Sequence, residues 1–216
     1  MWNDTIFVME IIGTVAFAVS GSIIAAGCGL DLFGVLIVGC STAVSGGIIR
    51  DLILGRTPPA IFSDVTLLCI AAAVSLAVFI VFYLNAKKFD LLEKKIESIN
   101  VLFDAIGLAA FSVIGVEAAA QAGFSHAALL SVSMGVITGV GGGIVRDVFV
   151  NKIPYVLKKH IYALASVAGS IAYYYIRNYG SRTAALIVAV PLIIVIRLLA
   201  AKYRWKLPRV RKSDDD

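Results

Sequence analysis

Ser45-Gly46-Gly47-Ile48-Ile49-Arg50-Asp51 returns 96 residues later as Gly141-Gly142-Gly143-Ile144-Val145-Arg146-Asp147. At the same spacing Gly39 matches Gly135, Thr42 matches Thr138 and Pro58 matches Pro154. Upstream, at a spacing of 94, Gly13, Ala16, Phe17 and Gly21 match Gly107, Ala110, Phe111 and Gly115, and the acidic Glu10 finds Asp104. In an apolar chain, a duplicated glycine run followed by a charged pair is the pattern of two interrupted membrane helices flanking one pathway.

The 216 residues are 60% hydrophobic and 15% charged, with a mean hydropathy of +0.93. Soluble domains carry about 25% charged residues, so the chain reads as an all-α integral membrane protein. The first apolar run is not a cleaved signal, because no Lys or Arg precedes it and it outruns the usual apolar core of such peptides. The net charge of +5 sits in loops and the tail, which fits a membrane surface and argues against nucleic acid as a partner. No HExxH, GxSxG, Walker-type or Cys-based signature occurs, and no enzyme activity, cofactor or metal site is expected. Cys28, Cys40 and Cys69 read as small buried hydrophobes, and His126 and His160 receive no role.

A spanning helix needs about 20 mostly apolar residues. Seven are read, at 5–27, 32–54, 63–85, 100–121, 126–149, 159–177 and 182–200. The matches place the first three in one repeat, residues 5–85, and the next three in a second, residues 100–177. An odd number of crossings per unit inverts the second copy, giving a pseudo-two-fold axis in the membrane plane. Helix 182–200 stands outside the repeat. Residues 86–99 form a linker, in which Phe89, Leu92, Ile96 and Ile99 recur among lysines. That pattern fits either a short interfacial helix or a solvated loop. The basic tail, 201–216, reads as a topology anchor with Tyr203 and Trp205, or as an attractor of anionic lipid.

Loop charge orients the bundle. With the N-terminus outside, the cytoplasmic side gathers Lys87, Lys88, Lys94, Lys95, Arg146, Lys152, Lys158, Lys159 and the tail lysines and arginines. The other side keeps Arg50, Arg56, Arg177 and Arg182. A multi-pass protein of the inner (plasma) membrane, N-terminus outside and C-terminus cytoplasmic, follows from the positive-inside bias.

Consecutive glycines lower helix propensity by about 1 kcal/mol each relative to Ala. Their recurrence in equivalent helices favours a bend at Gly46-Gly47 and Gly141-Gly142-Gly143 over mere packing. Carbonyls at such a break would suit a cation and amides an anion. Arg50 and Arg146 follow each run. Residues at i and i+1 do not face each other on a helix, so each Arg is expected to reach an acid or a carbonyl elsewhere, the carboxylates of the other repeat being one set of candidates. Glu10 and Asp104 are the other set, and the charges act either as a structural clamp or as a gate. Glu117, an intramembrane carboxylate with Ile23 at the equivalent position, has the weakest case. Thr42, Ser45, Thr138, Ser20 and Ser112 are candidates for lining a polar path, or for bonding back to their own helices.

On these residues the chain resembles the prokaryotic branch of the TRIC family, the trimeric intracellular cation channels, whose bacterial members are also grouped as a glycine-transporter domain family. The resemblance covers nearly the whole chain. It implies a homotrimer with an ion path inside each protomer, lined by second and fifth helices kinked at Gly46, Gly47, Gly141, Gly142 and Gly143. It also implies permeation by monovalent cations, chiefly K⁺, with Na⁺ as the other candidate. The first run has Ser45 where the second has Gly141, so the first bend is expected to be stiffer. The competing reading is a secondary transporter of a small amino acid such as glycine, since half-helix amides and an Arg suit a carboxylate. A lipid-organising membrane protein is the third.

Overall fold

The computed structural model describes residues 2–85, 93–158 and 161–205. Lys87, Lys88, Phe89, Leu92, Lys159, His160 and the tail from Lys206 onward lie outside these residues. The rest is helical throughout: α1 (Trp2–Gly27), α2 (Leu32–Ile53), α3 (Ala60–Ser63), α4 (Thr66–Leu84), α5 (Glu93–Ala119), α6 (Ala128–Phe149), α7 (Tyr155–Lys158), α8 (Ile161–Tyr179) and α9 (Arg182–Lys202). Local chemistry sets several boundaries. Asp31 accepts from the Gly34 amide at 2.8 Å to start α2, and Ser181 accepts from the Ala184 amide at 3.0 Å to start α9. A π-helical turn, Ala120–Phe124, ends α5 at Gly123, whose φ of 93° is a left-handed value that favours glycine.

Among the described residues, six helices are long and apolar enough to cross a membrane: α1, α2, α4, α5 with its π turn, α6 and α9. The 19-residue α8 is not in that set, because it spends its positions on tyrosines and serines. Those residues face inward, with Tyr162, Ser166, Ser170, Tyr173 and Tyr174 buried against its neighbours. Ile96 and Ile99 fall inside α5, which begins at Glu93 and not at 100. No breaker separates Glu93 from Asn100, so this half of the linker extends the transmembrane helix and forms no separate surface helix. The cysteines also correct the expectation. Cys28 and Cys69 are exposed, and Cys40 is half-buried against the cluster of Phe17, Ala43, Ala71 and Phe111.

The duplication becomes geometry at four reciprocal contacts. A Cβ on Gly13 would meet the Phe111 ring, and one on Gly107 would meet the Phe17 ring. These two rings stack at 5.3 Å where α1 crosses α5. A Cβ on Gly21 would meet Thr42, and one on Gly115 would meet the Thr138 hydroxyl. Gly39 lies under Ser75 as Gly135 lies under Ser170. Where α2 crosses α6, a Cβ on Gly46 would strike the Thr138 carbonyl, and one on Gly142 the Thr42 carbonyl. A two-fold axis between α1 and α5, and between α2 and α6, exchanges the members of every pair. Small residues let backbones approach this closely in membranes, where packing replaces the hydrophobic effect as the force between helices.

Gly27, by contrast, has open space around it. Gly46→Ala and Gly142→Ala are therefore expected to destabilise the protein by about 1–3 kcal/mol, because a backbone carbonyl cannot step aside. Gly27→Ala is expected to be neutral or mildly stabilising. Thermal unfolding of the purified variants in detergent checks this, and equal midpoints for Gly46→Ala and Gly27→Ala would contradict it.

Candidate functional site

Gly46, Gly141 and Gly142 sit where α2 and α6 cross, Gly47 lines a cavity beside Arg50 and Gly143 faces the Tyr162 hydroxyl, and both helices run unbroken through them. The interrupted half-helices expected from the glycine runs are not observed. Gly46, Gly141 and Gly142 give up side chains to close approach of the two backbones, and the helices continue through them. Thr42 and Thr138 contribute the carbonyls on the far side of each contact. Their hydroxyls donate back to Val38 and Met134 carbonyls, both at 2.6 Å. The Ser45 hydroxyl is buried with no hydrogen-bond partner among the described residues. Ser112 pairs with Ser166 at 2.6 Å.

One charged cluster lies at each end of this crossing. Arg50 Nε donates to Asp51 Oδ1 at 2.9 Å, and Arg146 Nε donates to Asp147 Oδ1 at 2.9 Å. The neighbouring pairs are thus bonded directly, contrary to the expectation from helix spacing. Both pairs occupy last turns, where the Asp side chain runs along the axis and the long Arg curls back to meet it. The second Asp oxygen has a different task. Asp51 Oδ2 accepts the Ala60 amide at 3.0 Å and Asp147 Oδ2 the Tyr155 amide at 2.6 Å, so each carboxylate starts the short helix that follows. Pro59 and Pro154 directly precede those amides, which makes Pro59, and not Pro58, the equivalent of Pro154. Gly55 and Asn151 turn both connections at positive φ, 73° and 54°.

Beyond this shared clamp the two ends differ. Arg146 Nη1 donates to Asp104 Oδ1 and to Ser20 Oγ, each at 2.8 Å, and Ser20 donates to Asn100 Oδ1 at 2.8 Å. Arg197 of α9 brings Nη2 to 3.5 Å from Asp104 Oδ2, with its guanidinium 4.8 Å from the Tyr155 ring centre and 5.0 Å from that of Tyr162. Two guanidiniums, two carboxylates and two aromatic rings fill this end, with Arg146, Asp104 and Arg197 all buried.

At the other end Ile6 and Ile114 stand where Asn100 and Ser20 would. Ala60 and Leu67 replace Tyr155 and Tyr162, and among the described residues no helix supplies an equivalent of Arg197. A cavity of about 160 Å³ results, lined by Glu10, Thr14, Gly47, Arg50, Asp51 and Asp64 among others. Glu10 shares that cavity with Arg50 without ion-pair contact. Hydrogen bonds from the Thr66 side chain and then its backbone amide hold the exposed Asp64 carboxyl below the usual range, so it stays ionised. The sequence reading missed Arg197, although a lone arginine inside a 21-residue apolar helix is itself a signal. Tyr155 and Tyr162 carried none.

Two inverted sets of helices around a glycine crossing with charged clusters at both ends define a membrane transport protein of the inverted-repeat class. The glycine-transporter family model matches the chain twice, over residues 7–83 and 101–178, and the chain belongs to this family, that of the TRIC channels and the UPF0126 membrane proteins. The UPF0126 inner membrane protein YadS of Escherichia coli K12 is 39% identical over 206 residues, covering 94% of this chain and 95% of its own. YvgT of Bacillus subtilis is 35% identical, covering 93% and 94%. A prokaryotic TRIC channel crystallised in 0.5 M KCl superposes with a TM-score of 0.84 at 36% identity, covering 96% of this chain and all of that one. The TRIC trimeric intracellular cation channel orthologue from Rhodobacter sphaeroides gives 0.82 at 27% identity, covering 93% and 99%. The chain is a multi-pass membrane protein.

Asp104 is the sole carboxylate in contact with Arg197 among the described residues, and it also holds Arg146. Asp104→Asn leaves two buried guanidiniums facing Asp147 alone and is expected to cost about 3–5 kcal/mol. Glu10→Gln breaks no ion pair and is expected to cost under about 1 kcal/mol. Thermal midpoints of the two purified variants check the contrast, and equal losses would contradict it.

Proposed function

We propose that this protein is a homotrimeric monovalent-cation channel, permeated chiefly by K⁺, with one path per protomer along the α2–α6 crossing. The path runs between the repeats 5–85 and 100–177, with α8 as a further crossing and α9 outside the repeat. The N-terminus lies outside and the C-terminus in the cytoplasm, so the Arg50 cavity is the outer vestibule and the Arg146 cluster the cytoplasmic seal. Opening separates the crossing and bends α2 and α6 at Gly46-Gly47 and Gly141-Gly142-Gly143, where the helix is least costly to deform. Arg50, Asp51, Arg146, Asp147, Glu10 and Asp104 act as the charge clamps and gate. No cofactor is required.

The observation that carries this reading is the charge of the vestibule: Glu10, Asp51 and Asp64 against the single Arg50. A cleft with a net negative lining concentrates cations and repels anions. Likeness over nearly the full length to solved TRIC cation channels supports the same sign. The positive charge of Arg50 and Arg146 does not oppose it, because both are already held by carboxylates. The same pairing weakens the amino-acid transporter alternative, which needs a guanidinium free for a substrate carboxylate and otherwise rests on the family's name.

Two variants test this in proteoliposomes loaded with K⁺. Glu10→Gln is expected to lower K⁺ flux several-fold while Cl⁻ flux stays at background. Arg146→Gln is expected to raise K⁺ flux by loosening the seal, again without anion flux. Chloride-selective flux in either variant, or saturable glycine uptake by the unaltered protein, would overturn the channel reading.

A further inference from the structure

Glu117 belongs to neither charged cluster, yet it is 1% exposed within the apolar run Phe111–Ala120 of α5. A buried carboxylate persists only with partners, and this one has four. Arg177 Nε donates to Oε2 at 2.7 Å and Tyr173 Oη to Oε2 at 3.2 Å. Trp2 Nε1 donates to Oε1 at 3.2 Å, and Arg182 Nε lies 3.9 Å from Oε1. The network continues outward: Arg182 stands over the Trp2 ring at 5.4 Å, and Arg177 holds the Asn178 side chain, which donates to the Ser125 carbonyl. One carboxylate thereby joins α1, α5, α8 and α9 at the end of the bundle opposite Arg146. Ile23 occupies the equivalent position in the first repeat, so the duplication itself did not provide this cluster.

Its reach follows from which helices carry the charges. Glu117 and Asp104 are both on α5, about 20 Å apart along the axis, and Arg182 and Arg197 are both on α9, about 22 Å apart. α9 is therefore tied to α5 at both ends. The ties are unequal. Glu117 holds α8 closely, through Arg177 at 2.7 Å, and touches α9 only through the half-exposed Arg182 at 3.9 Å, whereas Arg197 of α9 reaches Asp104 at 3.5 Å with its Nε unpartnered among the described residues. Between them Ile193 of α9 seats over Gly169 of α8, which leaves no room for the helices to slide independently. The height at which Arg197 meets Asp104 thus follows that of α8, which Glu117 holds through Arg177 and Tyr173.

We propose that Glu117 is a positioning residue for the seal: by fixing α8 against α5, and α9 through the Gly169–Ile193 contact, it sets the register in which Arg197 closes on Asp104. The proposal rests on the reading of the Arg146–Asp104–Arg197 cluster as a seal. Loosening the Glu117 cluster weakens closure without touching the permeation path.

Single-channel recording of the full-length protein tests it with Glu117→Gln, Arg197→Gln and the double variant. Arg197→Gln is expected to raise the open-to-closed ratio by about fivefold or more, and Glu117→Gln to raise it in the same direction. Unitary conductance and reversal potential stay unchanged in Glu117→Gln. The double variant is no more open than Arg197→Gln alone, because both changes act on one contact. Trp2→Phe, which deletes only the indole N–H bond to Glu117, is expected to give a smaller shift of the same sign and serves if Glu117→Gln does not fold. If Arg197→Gln opens the channel while Glu117→Gln and Trp2→Phe do not, or if the two effects multiply in the double variant, the positioning role fails and the seal stands. If Arg197→Gln leaves gating unchanged, the seal reading fails and the positioning role with it.

Discussion

The rest of the architecture depends on one close contact made twice: Gly46 against the Thr138 carbonyl and Gly142 against the Thr42 carbonyl. With no side chain between them, α2 and α6 touch backbone to backbone, at a separation that any Cβ would increase. The symmetry axis passes through this contact and through the stacked Phe17 and Phe111 rings. Arg50 and Arg146 follow the glycines by a turn, so the crossing also places one clamp on each side of the axis. A contact without side chains is also one whose separation requires no rotamer change, which makes it the natural place for a path to open.

Duplication gave both ends the same clamp, an Asp that joins a neighbouring Arg to the first amide of a short helix. Divergence then made the ends unequal. Tyr155, Tyr162, Ser20 and Asn100 filled one side, and Ala60, Leu67, Ile114 and Ile6 left a cavity at the other. α9, which has no partner in the first repeat, added Arg197 to the filled end and tied itself to Glu117 at the opposite one. A symmetric scaffold with asymmetric ends is what alternating or gated passage requires, since only one side needs to be sealed at rest.

Much of this was legible in the sequence, for reasons that differ by element. The repeat was visible because glycine, arginine and aspartate stand out against apolar filler, and four of the glycine matches, all but Gly47 with Gly143, proved to be reciprocal contacts. The helix interruption was misread because a glycine run has the same composition whether the helix breaks or a second backbone presses against it; only the partner helix decides. The Arg50–Asp51 and Arg146–Asp147 bonds were missed because helical spacing describes helix interiors, and these pairs sit at last turns where side chains run along the axis. Pro58 was matched to Pro154 by counting, whereas the amide capped by Asp51 identifies Pro59. Asp104 was found but not its second partner, since Arg197 approaches from a helix outside the repeat. Glu117 looked unimportant because it lacked a counterpart, and that lack is what distinguishes it.

The central claim is passive passage of cations through the protomer, and recording the purified protein in planar bilayers under a KCl gradient tests it most directly. Discrete unitary currents reversing near the K⁺ equilibrium potential are the predicted result. Silent bilayers, together with saturable glycine uptake by the same preparation in liposomes, would contradict it.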